Sequence, residues 1–166
     1  MIYIGIDNGI SGGIAAISPV IGAGIIAMRQ MPVQKTRKGN EINIVAVWDW
    51  IDRELCATRQ RDSITVVIEE PGGSKSAKAA TSMAGSFHAL RAMCELKHIR
   101  HHRITPQAWQ KPMLSAKAGY TKPAALALAR ALWPRETWLP TQRCSKPDEG
   151  MIDAALIAEF ARRTGL

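Results

Sequence analysis

The sequence predicts an α/β fold: a five-stranded mixed sheet, three antiparallel strands followed by two parallel ones, with helices on both faces. Two apolar runs carry this prediction, residues 2–6 and 64–68, and each is followed directly by carboxylates. The second run does not alternate with polar residues, which is typical of a central strand covered on both faces. Both runs therefore predict buried strands that leave the core at acidic residues.

The other strands follow from spacing. A glycine-rich turn comes after the first run, and apolar segments follow at 13–18 and 24–31. Three short strands this close together predict an antiparallel meander. Pro71, which lacks an N–H, ends the second run, and a fifth strand is predicted at 100–104.

Helical segments fill most of the remaining chain. Apolar residues recur at three- and four-residue intervals from Glu41 to Leu55, which predicts a helix there. Thr105 and Thr121 are potential helix caps with a proline close behind. The predicted helices are 79–97, one opened by Thr105, one opened by Thr121, and a last one that starts within 146–153 and runs to Ala161.

The composition bounds the function. Lys and Arg number 22 against 14 Asp and Glu, so the net charge is +8 and the pI is near 9.8. Such a surplus favours a polyanionic partner, usually nucleic acid. A chain of 166 residues fits a single domain over 1–166 and is too short for a two-lobed ATPase.

Cysteine usage and hydropathy indicate the compartment. The three cysteines are scattered and lack the CxxC spacing of zinc sites, which favours a reducing interior. No signal peptide is recognisable, and no apolar run approaches the roughly 20 residues that a membrane span needs. We therefore expect a cytoplasmic protein with no membrane partner.

The strand ends carry the candidate site. Asp7 follows the first run, and it is either a ligand of a divalent cation or a turn residue that hydrogen-bonds its own backbone. Glu69 and Glu70 follow the second run and point to opposite faces if the strand continues. Sites in α/β sheets tend to lie at the carboxyl ends of strands.

The last helix adds more acids. Glu149 and Asp153 are four residues apart, so they lie one turn above the other on one face and repel each other. Asp148 precedes them as a helix-start residue. Asp153 stands among apolar residues of a packing face, and a bound metal would remove that conflict.

At four places the chain resembles a known family. The motifs are residues 4–9 with Ser11-Gly12, residues 67–69, residues 105–111 and residues 153–158. The ordered set resembles the RuvC-type Holliday junction resolvases, in particular their phage-borne members, within the ribonuclease H-like nuclease fold. The motifs span nearly the whole chain. The resemblance implies a cytoplasmic nuclease of a bacterial or phage-infected host cell.

The resemblance also implies a site. Asp7, Glu69 and Asp153 would be metal-binding catalytic acids, joined by one more acid of the last helix. Cellular members carry Asp or His three residues before the last acid, where this chain has Gly150. The fourth ligand would then be Glu149 or Asp148, and phage members favour Glu149.

One ligand choice stays open at the second strand. Glu69 fits the family pattern, and Glu70 remains its alternative.

Phosphodiester hydrolysis by two Mg²⁺ ions roughly 3.5–4 Å apart, with Mn²⁺ as a possible substitute, calls for such carboxylate oxygens. Asp7 could bridge both ions.

The expected activity is the resolution of four-way (Holliday) DNA junctions by paired symmetric nicks, performed by a homodimer. A ribonuclease acting on RNA–DNA hybrids and a catalytically silent junction-binding module are the alternatives. Basic residues of two loops and a helix are expected to contact DNA: Lys35, Arg37, Lys38, Lys75, Lys78 and Lys111. For the loop at 35–40 the alternative is a solvated hairpin or linker. In helix 79–97, a self-complementary dimer patch is offered by Ala84, Gly85, Ser86, Ala89 and Met93, unless Met93 belongs to the core.

Overall fold

The computed structural model describes residues 1–20, 22–37, 39–56, 63–73, 76–114 and 120–166. In chain order the elements are β1 (Ile2–Ile6), β2 (Gly13–Ile17), β3 (Ile25–Gln30), β4 (Val33–Thr36), β5 (Gly39–Ile42), α1 (Ile44–Ile51), a π-helical turn (Asp52–Cys56), β6 (Ile64–Glu69), α2 (Ala77–Leu96), β7 (Arg100–Ile104), α3 (Pro106–Met113), α4 (Lys122–Leu132) and α5 (Glu149–Thr164). No described helix is long and apolar enough to cross a membrane.

Five strands form the main sheet in the order β3-β2-β1-β6-β7. β1 pairs antiparallel with β2 and β2 with β3, whereas β1 pairs parallel with β6 and β6 with β7. The predicted mixed sheet is therefore confirmed. Ile6 of β1 lies opposite Ile68 of β6. The next residues, Asp7 just after β1 and Glu69 at the end of β6, consequently lie side by side.

Helices cover both faces of this sheet, as predicted. On one face, α1 and α2 pack on the alternate residues Ile2, Ile4 and Ile6 of β1. On the other face, α3, α4 and α5 close a second apolar cluster around β2 and β6. α5 is the most deeply buried helix, and it crosses β1 so closely that a Cβ on Gly5 would lie 2.0 Å from the Ala154 carbonyl oxygen.

Residues 35–37, 39 and 40 of the basic segment belong to a hairpin. β4 and β5 pair antiparallel as a separate two-stranded sheet, which Thr36 stabilises by donating from its hydroxyl to the Gly39 carbonyl oxygen at 2.9 Å. The helix predicted from Glu41 is corrected accordingly, since it begins at Ile44. Asn43 caps it by accepting the Ala46 N–H at 3.0 Å. Pairing with β4 outweighs the helical periodicity over residues 41 and 42.

The dimer patch predicted on the second helix needs a correction as well. Met93 is only 5% exposed and lies in the apolar cluster beneath α2, so the core alternative is right. Gly85 is exposed, and Ala84 and Ser86 are half-buried. Of the predicted patch, the small residues of α2 therefore remain available to a partner, whereas Met93 does not.

Candidate metal centre

Asp7 is held by the turn that follows β1. The Gly9 N–H donates to Asp7 Oδ1 at 3.1 Å, and the Asp7 N–H donates to the Gly13 carbonyl oxygen at 3.1 Å. The hydrogen bond of the turn alternative is thus present, but it uses one carboxylate oxygen only. Gly12 is required here, because a Cβ at that position would lie 2.9 Å from Asp7 Cγ.

Asn8 ties the two acidic strand ends together. Its side chain is buried and donates from Nδ2 to the Glu69 carbonyl oxygen at 2.6 Å. The sequence places Asn8 between a ligand candidate and a turn glycine, so a polar residue there was unremarkable. The hydrogen bond fixes the spacing between Asp7 and Glu69 across β1 and β6.

Gly150 lets the start of α5 sit directly on the turn after β1. A Cβ on Gly150 would lie 2.4 Å from the Gly12 carbonyl carbon, and a Cβ on Gly13 would lie 2.6 Å from that of Gly150. Gly12 and Gly150 form an isolated parallel β-bridge. The close approach explains why this position carries no acid: an Asp or His side chain would displace the helix. It also brings Asp153, one turn further on, toward Asp7.

Glu69 is oriented by a buried indole. Trp109 of α3, which is fully buried, donates from Nε1 to Glu69 Oε1 at 2.6 Å. Glu70 lies elsewhere: its Oε1 is 3.5 Å from Arg103 Nε, and its N–H donates to the Ile104 carbonyl oxygen at 2.7 Å. The structure therefore groups Glu69, and not Glu70, with the other acids.

The two carboxylate oxygens of Asp153 differ in their hydrogen bonding. Oδ2 accepts a hydrogen bond from the Tyr120 hydroxyl at 2.6 Å. Oδ1 is buried and has no hydrogen-bond partner among the described residues. A buried carboxylate oxygen without a donor is costly, and a cation would satisfy it.

The three acids carry raised pKa values. Burial raises the pKa of Asp7, and the charge of Asp148 adds to the effect while the Gly9 N–H opposes it. Burial raises the pKa of Glu69 to about 7, with the charges of Asp7 and Asp153 contributing. Burial raises the pKa of Asp153 to about 7 as well, with smaller contributions from Asp7 and Glu149. Each acid makes its neighbours harder to ionise.

The two remaining acids at the start of α5 differ in their partners. Asp148 caps the helix, with Oδ1 accepting the Met151 N–H at 2.9 Å and Oδ2 accepting from Gln30 Nε2 at 2.6 Å. Glu149 is exposed and forms an ion pair with Lys122 Nζ. Both oxygens of Asp148 are thus engaged in structural contacts, whereas Glu149 pairs only with Lys122 in the part of the chain that the structure describes.

The acids of this site have the ligand chemistry that a hard divalent cation prefers. No group of three or more His, Cys, Asp or Glu side chains in the described part of the chain is arranged to hold a metal ion as it stands. The donor set nevertheless consists of carboxylates, which Mg²⁺ and Mn²⁺ prefer. The unpartnered Oδ1 of Asp153 fits a cation, and the charges of neighbouring acids add to the effect of burial on the pKa values of Glu69 and Asp153.

Several predicted DNA contacts lie on the surface. Lys35 on β4, Arg37 in the hairpin turn, Lys78 in the first turn of α2 and Lys111 on α3 are exposed. Lys78 also lines a groove of about 930 Å³ between the β4–β5 hairpin and α2. Lys38 and Lys75 lie outside the described residues.

Three neighbours of the acids had escaped the sequence prediction. Trp109 belongs to the motif at residues 105–111, but the spacing of apolar residues indicated only an apolar helix face. Lys122 follows the cap Thr121 and looked like a helix-start residue. Tyr120 stands alone between Gly119 and Thr121 with no pattern around it, so nothing in the sequence marked it.

Comparison with known proteins identifies the fold. No family model matches the sequence, and no curated protein matches it. A solved structure of Thermus thermophilus RuvC aligns over 99% of this chain and 97% of its own, with a TM-score of 0.63 and 17% identity. T. thermophilus RuvC in complex with Holliday junction substrate aligns over 99% and 96%, with a TM-score of 0.53 and 18% identity. The chain has the RuvC fold. This is the ribonuclease H-like architecture that the resemblance implied.

Proposed function

We propose that the chain is a metal-dependent, structure-selective endodeoxyribonuclease that resolves four-way DNA junctions by paired symmetric nicks. The observation that carries the proposal is the cluster of Asp7, Glu69 and Asp153 at the carboxyl ends of β1 and β6 and the start of α5. The cluster lies in a chain with the fold of RuvC, one structure of which holds a Holliday junction. Glu149 completes the proposed catalytic set.

The proposed cofactor is a pair of Mg²⁺ ions, or Mn²⁺ in their place. When bound, two such ions activate a water molecule and stabilise the leaving 3′ oxygen. One carboxylate oxygen of each acid accepts a hydrogen bond, and the second oxygen would bind a cation. This holds for Asp7, Glu69 and Asp153. Glu149 would join by exchanging Lys122 for the metal.

Affinity for DNA is proposed to come from a different set of residues. The exposed side chains of Lys35, Arg37, Lys78 and Lys111, with Lys38 and Lys75, would neutralise phosphates. Binding of that kind weakens steeply as salt rises, because it releases counterions. The net charge of +8 supports it. We place this reaction in the cytoplasm of a bacterial or phage-infected cell.

The junction has two strands to cut at symmetry-related positions, so we propose a homodimer. The exposed Gly85 and its small neighbours on α2 are the proposed contact, since a two-fold interface needs a patch that fits itself. Each protomer would then nick one of the two opposed strands.

Incubation with three substrates tests the proposal. A synthetic four-way junction, a linear duplex of the same sequence and an RNA–DNA hybrid are each incubated with Mg²⁺, with Mn²⁺ and with EDTA. Symmetric nicks in the junction alone, and only with metal, are expected. Preferred cleavage of the hybrid would favour a ribonuclease, and metal-independent binding without nicks would favour a silent junction-binding module.

A further inference from the structure

Two aromatic side chains donate hydrogen bonds to two of the acids. The Trp109 indole N–H reaches Glu69 Oε1 at 2.6 Å, and the Tyr120 hydroxyl reaches Asp153 Oδ2 at 2.6 Å. Neither donor comes from an element that carries an acid: Trp109 lies on α3, and Tyr120 precedes α4. Hydrogen bonds to carboxylates at such distances are about twice as strong as those between neutral groups.

The two aromatic rings also contact each other. The Trp109 and Tyr120 ring centroids are 6.0 Å apart and the planes meet at 83°, which is the favoured edge-to-face arrangement. Trp109 is fully buried, so its position is fixed by the core. Tyr120 is 36% exposed and takes its position from the Trp109 ring on one side and Asp153 on the other. We call this pair the aromatic bracket.

The aromatic bracket determines which carboxylate oxygens stay free. The terminal torsion of Asp or Glu is broad and nearly two-fold, so an unrestrained carboxylate presents either oxygen. A donor fixed on Asp153 Oδ2 leaves the buried, unpartnered Oδ1 for another ligand. A donor fixed on Glu69 Oε1 does the same for that residue. The two ring systems thus couple the orientations of acids that come from different elements.

We propose that Trp109 and Tyr120 are positioning residues that hold Glu69 and Asp153 in the orientation that binds a divalent cation. The inference rests on the proposed function to the extent that both acids are metal ligands. Tyr120 does not compete with the cation, because its neutral hydroxyl occupies one oxygen and leaves the other. Outer hydrogen bonds of this kind orient metal ligands, and their loss typically costs about 10–100-fold in metal affinity.

The test uses the phenol-to-phenyl change at Tyr120. Tyr120→Phe removes the hydroxyl and keeps the ring against Trp109. Tyr3→Phe removes the other tyrosine hydroxyl of the chain, on β1 and away from the acids, and serves as the matched control. Mn²⁺ binding is measured by electron paramagnetic resonance of the free ion, without DNA, and circular dichroism checks that each variant is folded.

Tyr120→Phe is expected to weaken Mn²⁺ binding by about 10–100-fold while Tyr3→Phe binds like wild type. Nicking by Tyr120→Phe should recover as Mn²⁺ is raised, since the change acts on metal affinity. Unchanged or tighter Mn²⁺ binding by Tyr120→Phe overturns the proposal. In an Asp153→Asn background, Tyr120→Phe should have no further effect, and a second loss of similar size would also overturn it.

The two proposals fail in different ways. A wild-type protein that binds Mn²⁺ with the expected loss in Tyr120→Phe, yet nicks no junction, overturns the proposed function and leaves the aromatic bracket standing. Junction nicking with equal Mn²⁺ affinity in wild type and Tyr120→Phe overturns the aromatic bracket alone. A wild-type protein that binds no Mn²⁺ overturns both.

Discussion

α5 carries a carboxylate near each end, Glu159 fully buried and Asp153 half-buried, and the two differ in the groups that surround them. At the carboxyl end, Glu159 is 4% exposed and accepts from Arg162 Nε at 2.8 Å and from Arg163 Nε at 2.7 Å. Burial acts to raise the pKa of Glu159, but these hydrogen bonds and charges outweigh it and the pKa is lowered. At the amino end, the neutral Tyr120 hydroxyl is the only hydrogen-bond donor to Asp153 among the described residues, and burial raises the pKa of Asp153 to about 7.

We interpret this difference as that between a structural acid, Glu159, and an acid of the proposed metal site, Asp153. A folded chain ordinarily pairs a buried charge, as α5 does for Glu159 within four residues. The same helix leaves Asp153 next to Asp7 and Glu149, which raise its pKa further. Unpaired carboxylates placed close together lower the stability of the fold. Several acids with shifted pKa values at one place are typical of a functional site. Variants at the two ends can therefore break or sharpen this contrast.

Asp153→Asn is expected to have the largest effect. The change removes the charge that a cation would bind and keeps the shape, so nicking of a four-way junction should fall by at least about 1000-fold, or roughly 4 kcal/mol in the barrier. Junction affinity without metal should be retained or tighten, because one charge that repels phosphate is gone. Nicking rate and junction affinity are measured side by side. Nicking at the wild-type rate would rule out the metal site.

Glu149→Gln comes next. The change keeps a side-chain oxygen but removes the charge, and we expect a loss of at least about 100-fold in nicking, equivalent to about 2.7 kcal/mol. Circular dichroism should show a folded protein, since Glu149 is exposed and pairs only with Lys122 among the described residues. Full activity would remove Glu149 from the ligand set and leave the site with three acids.

Glu159→Gln should affect stability and spare the chemistry. Removing one partner of a buried charge cluster costs about 3–5 kcal/mol, and we expect about 2 kcal/mol here, since Arg163 is 45% exposed and can regain solvent. Urea unfolding measures the loss. Nicking per folded molecule should stay at the wild-type level. If nicking fell with Glu159→Gln while folding was intact, the structural assignment of this end of α5 would be wrong.

The architecture was within reach of the sequence because its signals are local. The apolar runs of β1 and β6 end at Asp7 and Glu69, and pairing them in parallel brings the two acids together without further information. The start of the first helix was misplaced because β5 has four residues and no clear strand alternation. Its extended conformation depends on pairing with β4, which the sequence does not show. Met93 could not be assigned, since an apolar helix face looks the same in a core and in an interface.

The surroundings of the acids could not be inferred in the same way. Trp109, Tyr120 and Lys122 reach Glu69, Asp153 and Glu149 across 40, 33 and 27 positions, so their contacts exist only after packing. The carboxylates themselves were recognisable because buried charge at strand ends is unusual. The donors were not, because Trp, Tyr and Lys are ordinary residues in a helix or at its start.

The pH dependence of stability should also distinguish the two ends of α5. Glu69 and Asp153 have native pKa values near 7, above their ordinary 4.5 and 3.8, so the native state binds more protons than the unfolded state between about pH 4 and 7. Stability in EDTA should therefore fall as pH rises through this window, by at most about 1.4 kcal/mol per pH unit for each acid. Glu159, with a lowered pKa, loses its contribution only under more acidic conditions.

Thermal melts at pH 5 and pH 7.5, with EDTA or with Mg²⁺, measure this dependence. In EDTA, the contribution of these acids should give the wild-type protein a higher melting temperature at pH 5 than at pH 7.5. Asp153→Asn should reduce this difference in melting temperature. Mg²⁺ should raise the melting temperature at pH 7.5 more than at pH 5, because only ionised acids bind it. A wild-type pH slope that Asp153→Asn leaves unchanged would contradict the raised pKa.

Asp148→Asn is expected to have the smallest effect, although the residue is adjacent to Glu149. Asp148 Oδ1 accepts the Met151 N–H and Oδ2 accepts from Gln30, so its contacts are those of a helix cap. Asn caps helices about as well as Asp, so stability should change by less than about 0.5 kcal/mol, whereas Asp148→Ala should cost about 1 kcal/mol. Losing the charge also relieves Asp7, whose pKa Asp148 raises. Nicking by Asp148→Asn should match wild type in the assay used for Glu149→Gln. An inactive Asp148→Asn beside an active Glu149→Gln would move the fourth ligand by one residue and make the cap of α5 part of the metal site.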